Sequence, residues 1–129
     1  MRFAIVASVM GFIGVGLGAF GAHGLKRWAS AADLEIWQTA VRYHLIHTVV
    51  LLWVALTLKS VAGVGAEGIE KSLNWAGWSF VFGILVFSGS LYTLVLSGVR
   101  RLGMVTPIGG AGFLLGWAAL GYACYRMSD

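Results

Sequence analysis

Four long apolar runs, separated by shorter polar connections, constrain this chain more than any other feature. They cover about residues 3–22, 40–58, 73–96 and 105–125. A helix of ~20 apolar residues spans the ~30 Å hydrocarbon core of a bilayer. A lipid-exposed segment has to be helical, because lipid offers no partner to free backbone groups. We therefore predict an all-α integral membrane four-helix bundle, a single domain over residues 1–129 with both ends on the same side.

The scarcity of charge supports a membrane protein. Only 11% of the residues are charged and 59% are hydrophobic, whereas soluble domains carry about 25% charged residues. The net charge of +4 does not indicate nucleic-acid binding, because no basic stretch is interleaved with aromatic residues over a soluble surface. The single cysteine, Cys124, forms neither an internal disulfide nor a cysteine metal motif.

The first connection, residues 23–39, is long enough to hold an interfacial helix. Ser30, followed by Asp33 three residues later, is typical of a helix start. This helix can continue directly into the second span. Its apolar side would be supplied by residues that favour the membrane interface: Trp28, Leu34 and Trp37. We also assign Tyr92 to an aromatic belt at this side of the membrane.

The charge pattern decides the orientation only narrowly. We call the side with both termini and the second loop face A, and the opposite side face B. Face A has four basic residues and face B has five: Arg2, Lys59, Lys71 and Arg126 against Lys26, Arg27, Arg42, Arg100 and Arg101. Because basic residues favour the cytoplasmic side, we predict that face B is cytoplasmic and that the termini are not.

Glycines recur at spacings of three and four residues in the first and fourth runs. This spacing places small residues on one helix face, where they let helix backbones approach closely. We predict that these two helices pack tightly, against each other or against neighbours; the alternative is a seam for oligomerisation or a gate. The glycines concerned are Gly11, Gly14, Gly18 and Gly21, then Gly109, Gly112 and Gly116.

The second run carries an unusual set of polar residues near its start. Arg42 and Tyr43 precede His44 and His47, and His47 would lie on the order of 10 Å inside the membrane at 1.5 Å per residue. Ionisable groups at that depth are costly and commonly functional. Two interpretations stay open: a binding or relay site, or neutral histidines hydrogen-bonded between helices with Arg42 as an interface anchor.

Metal and cofactor chemistry are poorly supported. His23, His44 and His47 are the candidate ligands, and a closed metal site needs three or four, so we predict neither a metal nor a cofactor. The acidic residues all lie outside the spans, which disfavours a proton-coupled pump. Ser88 and Ser90 are interpreted as small polar residues that ease helix contact.

Four motifs occur in order along the chain: Gly18-Ala19-Phe20-Gly21-Ala22-His23-Gly24-Leu25, Trp37-x-Thr39-Ala40-x-x-Tyr43-His44-x-x-His47, Phe87-Ser88-Gly89-Ser90-Leu91-Tyr92 and Thr106-Pro107-Ile108-Gly109-Gly110. Together they resemble the bacterial YgdD/YwdK family, the domain of unknown function numbered 423, which is related to the eukaryotic transmembrane protein 256 group. The resemblance covers essentially the whole chain. It implies a four-helix inner-membrane protein and no established activity. The resemblance singles out ten residues as candidates for a functional or structural role, and we place all of them toward face B. They are Gly21, His23, Tyr43, His44, His47, Ser88, Ser90, Tyr92, Thr106 and Pro107.

These observations lead to a prediction of function. We expect a non-enzymatic membrane protein, either a binder of membrane lipid or a small ligand or an accessory subunit, with a polar pocket at face B. An anionic head group would be attracted by the basic residues there. The predicted ligand-binding residues are His23, Arg42, Tyr43, His44, His47, Arg100 and Arg101. The alternative is a small transporter or channel component, which requires a homo-oligomer or a larger membrane complex assembled through the glycine stripes.

Overall fold

A computed structural model describes residues 1–63 and 65–128 of the chain. Five α-helices are present in it: α1 (Arg2–Ala22), α2 (Ala31–Val61), α3 (Glu67–Gly83), α4 (Gly89–Ser97) and α5 (Thr106–Ser128). A π-helical turn, Ile84–Ser88, joins α3 to α4, so that Glu67–Ser97 forms one long rod. Four rods are long and apolar enough to cross a membrane. The predicted all-α bundle of four membrane helices is confirmed.

The start of α2 is built as its sequence predicts. Ser30 is the N-cap, and its hydroxyl oxygen accepts a hydrogen bond from the backbone N–H of Asp33 at 3.1 Å. The helix then continues without a break to Val61, so the predicted interfacial helix forms the first turns of α2. Only a short 3₁₀ turn, Leu25–Arg27, lies in the connection itself.

A small apolar cluster closes the bundle at face B. Leu25, Trp37, Leu94 and Val95 form its buried centre. Trp37 is only 1% exposed, and its indole N–H donates to the carbonyl of Leu17 at 2.8 Å. The assignment of Trp37 to the membrane interface is therefore wrong, because α1 and α4 enclose this part of α2 before it reaches the lipid.

The main core extends from the middle of the bundle to face A. It brings together Phe3 of α1, Leu51 of α2, Phe80 of α3 and Leu120 of α5. α1 packs along α2, and α5 packs along α3. Because each glycine-rich helix has a different partner, the two glycine stripes serve two separate contacts.

The glycines of α5 face the rod of α3 and the π turn. A Cβ atom on Gly109 would collide with the backbone nitrogen of Phe87. On Gly112 and Gly116 it would come within 2.7 Å of the Phe82 and Phe80 rings. Helix backbones thus approach as closely here as their atoms permit.

The glycines of α1 face α2. An added Cβ would lie 3.6 Å from Thr48 at Gly11, 2.7 Å from Leu45 at Gly14, 3.3 Å from Val41 at Gly18 and 2.5 Å from Trp37 at Gly21. Both stripes are therefore covered within a single chain. An assembly of several copies would have to use other surfaces.

Candidate functional site

The two histidines of α2 diverge into different parts of the bundle. His44 is 5% exposed and His47 is 6% exposed, so both are buried. Residues three apart on an α-helix differ in direction by about 60°. Since α2 lies between neighbours on several sides, this offset sends His44 toward α1 and α4, and His47 toward α3 and α5. The fold therefore does not bring together the two histidines that were predicted to line one pocket: His44 bonds to Tyr92 and His47 to Trp117.

His47 has both ring nitrogens occupied. The indole N–H of Trp117 donates to its Nε2 at 3.2 Å, which requires the proton of a neutral ring to lie on Nδ1. Nδ1 lies 2.7 Å from the carbonyl oxygen of Tyr43, to which it donates a hydrogen bond. The imidazole also stacks on Phe113, with 3.6 Å between the ring centroids and 10° between the planes. His47 therefore joins α2 to α5 as a satisfied neutral histidine.

We expect His47→Leu to lower the free energy of unfolding by about 1–3 kcal/mol, the cost of leaving a buried hydrogen-bonding group without its partner. SDS titration followed by circular dichroism measures this quantity. Trp117→Phe and the double variant complete a thermodynamic cycle, which should give a coupling between His47 and Trp117. If the double variant loses as much free energy of unfolding as the two single variants together, the hydrogen bond between His47 and Trp117 is contradicted.

His44 is only half satisfied. Its Nδ1 lies 3.1 Å from the hydroxyl oxygen of Tyr92 on α4. Its Nε2 is buried without a hydrogen-bond partner among the described residues. The Met10 carbonyl is near the ring, but no bond with acceptable geometry forms. Buried polar atoms are nearly always paired, so this nitrogen is an exception that needs an explanation.

A cleft of about 460 Å³ lies beside His44, between α1 and the rod of α3 and α4. We call it the His44 cleft. Several of its side chains, including those of Ile5, Val9 and Leu85, are exposed on the outer surface, so the cleft opens sideways toward lipid. Its walls are apolar except at His44 and Tyr92. The residues that line it are Ile5, Val6, Val9, Met10, Ile13, Leu17, His44, Ile84, Leu85, Gly89 and Tyr92.

The π-helical turn forms part of this site, and no sequence pattern predicts it. The Gly89 N–H bonds to the Ile84 carbonyl, five residues back, and such π turns are frequent at functional sites. Ser88 donates to the carbonyl of Ala40 at 2.8 Å, which fastens the turn to α2. Ser90 bonds to Thr106 at 2.8 Å. Both serines thus make contacts between helices.

The position of Tyr92 near the end of a span predicts a residue of the aromatic belt. The structure gives it a different place. Its hydroxyl reaches His44, and its ring packs against Trp37 with 4.8 Å between centroids. The only sequence signal for this role was the position of Tyr92 in the Phe87–Tyr92 motif.

The remaining predicted site residues are dispersed. His23 is exposed at the end of α1. Arg42 lines a separate cleft beside Gly18, Gly21 and Trp37. Tyr43 stacks on Phe87, with 4.4 Å between ring centroids.

Arg100 and Arg101 lie in the last connection, and both are exposed. Arg100 donates to a carboxylate oxygen of Asp33 at 2.7 Å. The seven predicted ligand-binding residues therefore do not form one polar pocket at face B. Successive residues on a helix point about 100° apart. Polar residues that are adjacent in the sequence therefore point in different directions around the helix axis. Among residues 1–63 and 65–128, no three His, Cys, Asp or Glu side chains converge as a metal site would require.

The four apolar rods, the internal glycine contacts and the buried histidines together define a small integral membrane protein. The profile of the family described as protein of unknown function (DUF423) matches residues 17–110. A membrane protein of Staphylococcus aureus is 40% identical over 126 residues, 98% of this chain and 97% of the relative. The chain belongs to the DUF423 family.

Two further relatives are similar over nearly their full length. The membrane protein YwdK of Bacillus subtilis is 38% identical over 124 residues, which is 96% of both chains. The inner membrane protein YgdD of Escherichia coli is 38% identical over 130 residues, 98% of this chain and 92% of the relative. No solved structure shows significant similarity to this chain.

Proposed function

We propose that the protein is a non-enzymatic membrane protein that binds a lipophilic molecule in the His44 cleft. One observation carries the proposal: an apolar cleft that opens toward lipid lies beside His44, whose buried Nε2 has no hydrogen-bond partner among residues 1–63 and 65–128. A polar group in such surroundings is costly unless it is hydrogen-bonded. A ligand would remove that cost if the walls of the cleft moved enough to bring its polar atom to Nε2, which has almost no accessible surface in this structure.

The lining of the cleft favours a mostly apolar ligand. Leu17, Ile84 and Leu85 surround the two polar side chains. A cleft of about 460 Å³ falls within the ~300–1,000 Å³ range of small-molecule sites, which combine apolar walls with a few placed polar groups. His44 and Tyr92 would orient the ligand, and the apolar walls would hold its body.

An anionic head group at face B is a weaker form of the proposal. The Arg100 guanidinium is engaged by Asp33, and Arg42 lines a different cleft.

We place the protein in the inner membrane as a multi-pass protein, with face B cytoplasmic, as the narrow excess of basic residues there favours. Membrane lipids are its surroundings and the source of its ligand.

Native mass spectrometry of the full chain, released gently from its membrane, tests the proposal. We expect the wild type to carry a lipophilic adduct. Gly89→Leu should remove it, because Gly89 lines the cleft and has open space where a side chain would go. Gly16→Leu is the matched control: Gly16 also has open space around it but is not part of the cleft, so the adduct should remain.

A bare wild-type monomer, or an adduct equally abundant in both variants, would overturn the proposal. A third variant addresses the anionic version. If Arg100→Ala combined with Arg101→Ala removes the adduct while Gly89→Leu does not, the binding site lies at face B and the His44 cleft is not the site.

A further inference from the structure

Arg42 is a cation near the face B end of the second span, and the chain gives it no anion. It stands two residues into the apolar run that begins near residue 40, about 3 Å inside the hydrocarbon core at 1.5 Å per residue. Arg100 and Arg126 donate side-chain hydrogen bonds, and Arg100 also forms an ion pair. Among residues 1–63 and 65–128, Arg42 does neither. A charged group at this depth therefore requires a partner from outside the chain.

The direction of α2 determines which part of the membrane the Arg42 side chain can reach. Side chains on an α-helix tilt toward its N-terminus, and α2 begins with Ala31 at face B. Gln38 lies one turn closer to face B, on the same side of the helix. A long basic side chain in this position extends its charge out of the hydrocarbon core to the level of the lipid phosphates.

A cleft of about 250 Å³ lies between α1 and α2 at this level. We call it the Arg42 cleft. Gly18, Gly21 and Ala22 form its wall on α1, and the wall on α2 includes Gln38 and Arg42. The wall on α1 is apolar and nearly free of side chains. Gln38 and Arg42 are both exposed, so that the cleft presents hydrogen-bond donors to a molecule that enters it.

The charges around the Arg42 cleft favour an anion. The 3₁₀ turn that follows α1 carries Lys26 and Arg27, and both are exposed. Glu35 is the carboxylate nearest to Arg42 in the sequence, but it lines a different cleft, beside Leu91. Basic pockets between membrane helices on the cytoplasmic side are typical binding sites for anionic lipid head groups.

We propose that the Arg42 cleft binds the phosphate of an anionic phospholipid from the leaflet at face B. The Arg42 guanidinium donates to the phosphate oxygens, the Gln38 amide donates to a phosphate or glycerol oxygen, and an acyl chain lies along Gly18 and Val41. The depth of Arg42 favours a phospholipid over a water-soluble anion, because the acyl chains already hold the phosphate at this level. This site is separate from the His44 cleft and does not depend on the proposed function.

The test uses the full-length protein in nanodiscs that contain equal amounts of phosphatidylglycerol and phosphatidylcholine with the same acyl chains. Native mass spectrometry after gentle release counts the lipids that stay bound. We expect phosphatidylglycerol to be retained about 5-fold over phosphatidylcholine, as for one basic residue near a membrane surface. Arg42→Gln should make the two lipids nearly equal. Ala22→Leu, which narrows the cleft and keeps every charge, should also lower the preference.

Arg101→Gln is the matched control, because it makes the same change at an exposed arginine of face B outside the cleft. It should keep the preference. An equal loss in Arg42→Gln and Arg101→Gln would mean a diffuse attraction to the basic surface and would overturn the proposal. Displacement of the lipid by soluble glycerol phosphate would also overturn it, in favour of a water-soluble anion.

Two further measurements separate this proposal from its alternatives. Arg42 can instead stabilise the negative C-terminal end of α1. If Arg42→Gln lowers stability in SDS titration but keeps the lipid preference, that structural role is correct and the lipid site is wrong. Gly89→Leu should keep the preference for phosphatidylglycerol whether or not it loses the adduct of the His44 cleft. If it loses the preference, the phospholipid lies in the His44 cleft and the Arg42 site is wrong.

Discussion

Gly109→Ala should lower the free energy of unfolding by about 3 kcal/mol, the upper end of the usual range for overpacking a core. The new methyl group would meet the backbone nitrogen and Cα of Phe87. Backbone atoms cannot move aside by changing rotamer, so relief requires α5 to separate from the π turn. That movement would also loosen the neighbouring contact at Gly112. SDS titration in mixed micelles, followed by circular dichroism, measures the loss.

Gly121→Ala is the matched control for this substitution. It lies on the same helix and makes the same chemical change, but nothing lies within 4 Å of its added Cβ. Its stability should equal or slightly exceed that of the wild type, because alanine favours a helix more than glycine does. Equal stability of the two variants would mean that α5 does not approach Phe87 as closely as described.

Trp37→Ala should lower the free energy of unfolding by about 3–5 kcal/mol, as truncation of large buried aromatics does. Trp37 lies at the centre of the face B cluster and packs between Phe20 and Tyr92. In lipid the loss comes mainly from dispersion contacts and from the hydrogen bond to Leu17. Trp75→Ala serves as the control, because Trp75 is 65% exposed, and we expect it to change stability little.

A second substitution makes this test specific to one contact. A Cβ on Gly21 would lie 2.5 Å from the Trp37 ring, so Gly21→Ala should destabilise the wild type. In the Trp37→Ala background the ring is gone, and Gly21→Ala should have almost no further effect. If the two substitutions change the free energy of unfolding additively, α1 and Trp37 are not in direct contact.

Close helix packing accounts for much of what is distinctive in this bundle. Helices in lipid gain little from the hydrophobic effect when they associate, so small residues and interhelical hydrogen bonds stabilise their contacts. α1 and α5 use glycines, while Ser88, Trp37 and His47 bond between helices. The His44 cleft is one of the places where this close packing stops. There His44, whose Nε2 has no hydrogen-bond partner in the described part of the chain, lines the same cleft as the π turn, which is why we propose a ligand at this point.

The sequence by itself determined the number of membrane helices, the start of α2 at Ser30 and the residues on the glycine faces. Each of these depends on local patterns: ~20 apolar residues per span, a capping side chain and a spacing of three or four. Those patterns act within one helix and can be recognised without knowing its neighbours. These patterns do not determine which helix packs against each glycine face.

Only the tertiary structure decided which polar residues share a site. His44 and His47 are three residues apart, yet one bonds to Tyr92 and the other to Trp117. Tyr92 and Trp117 are distant from the histidines in the sequence. The 60° difference in direction between the two histidine side chains identifies their surroundings only when the positions of α1, α4 and α5 are known. The π turn is likewise decided by packing against α2 and α5. Whether a buried histidine is satisfied or lacks a partner depends on such distant contacts, because a hydrogen bond needs two groups brought together by the fold.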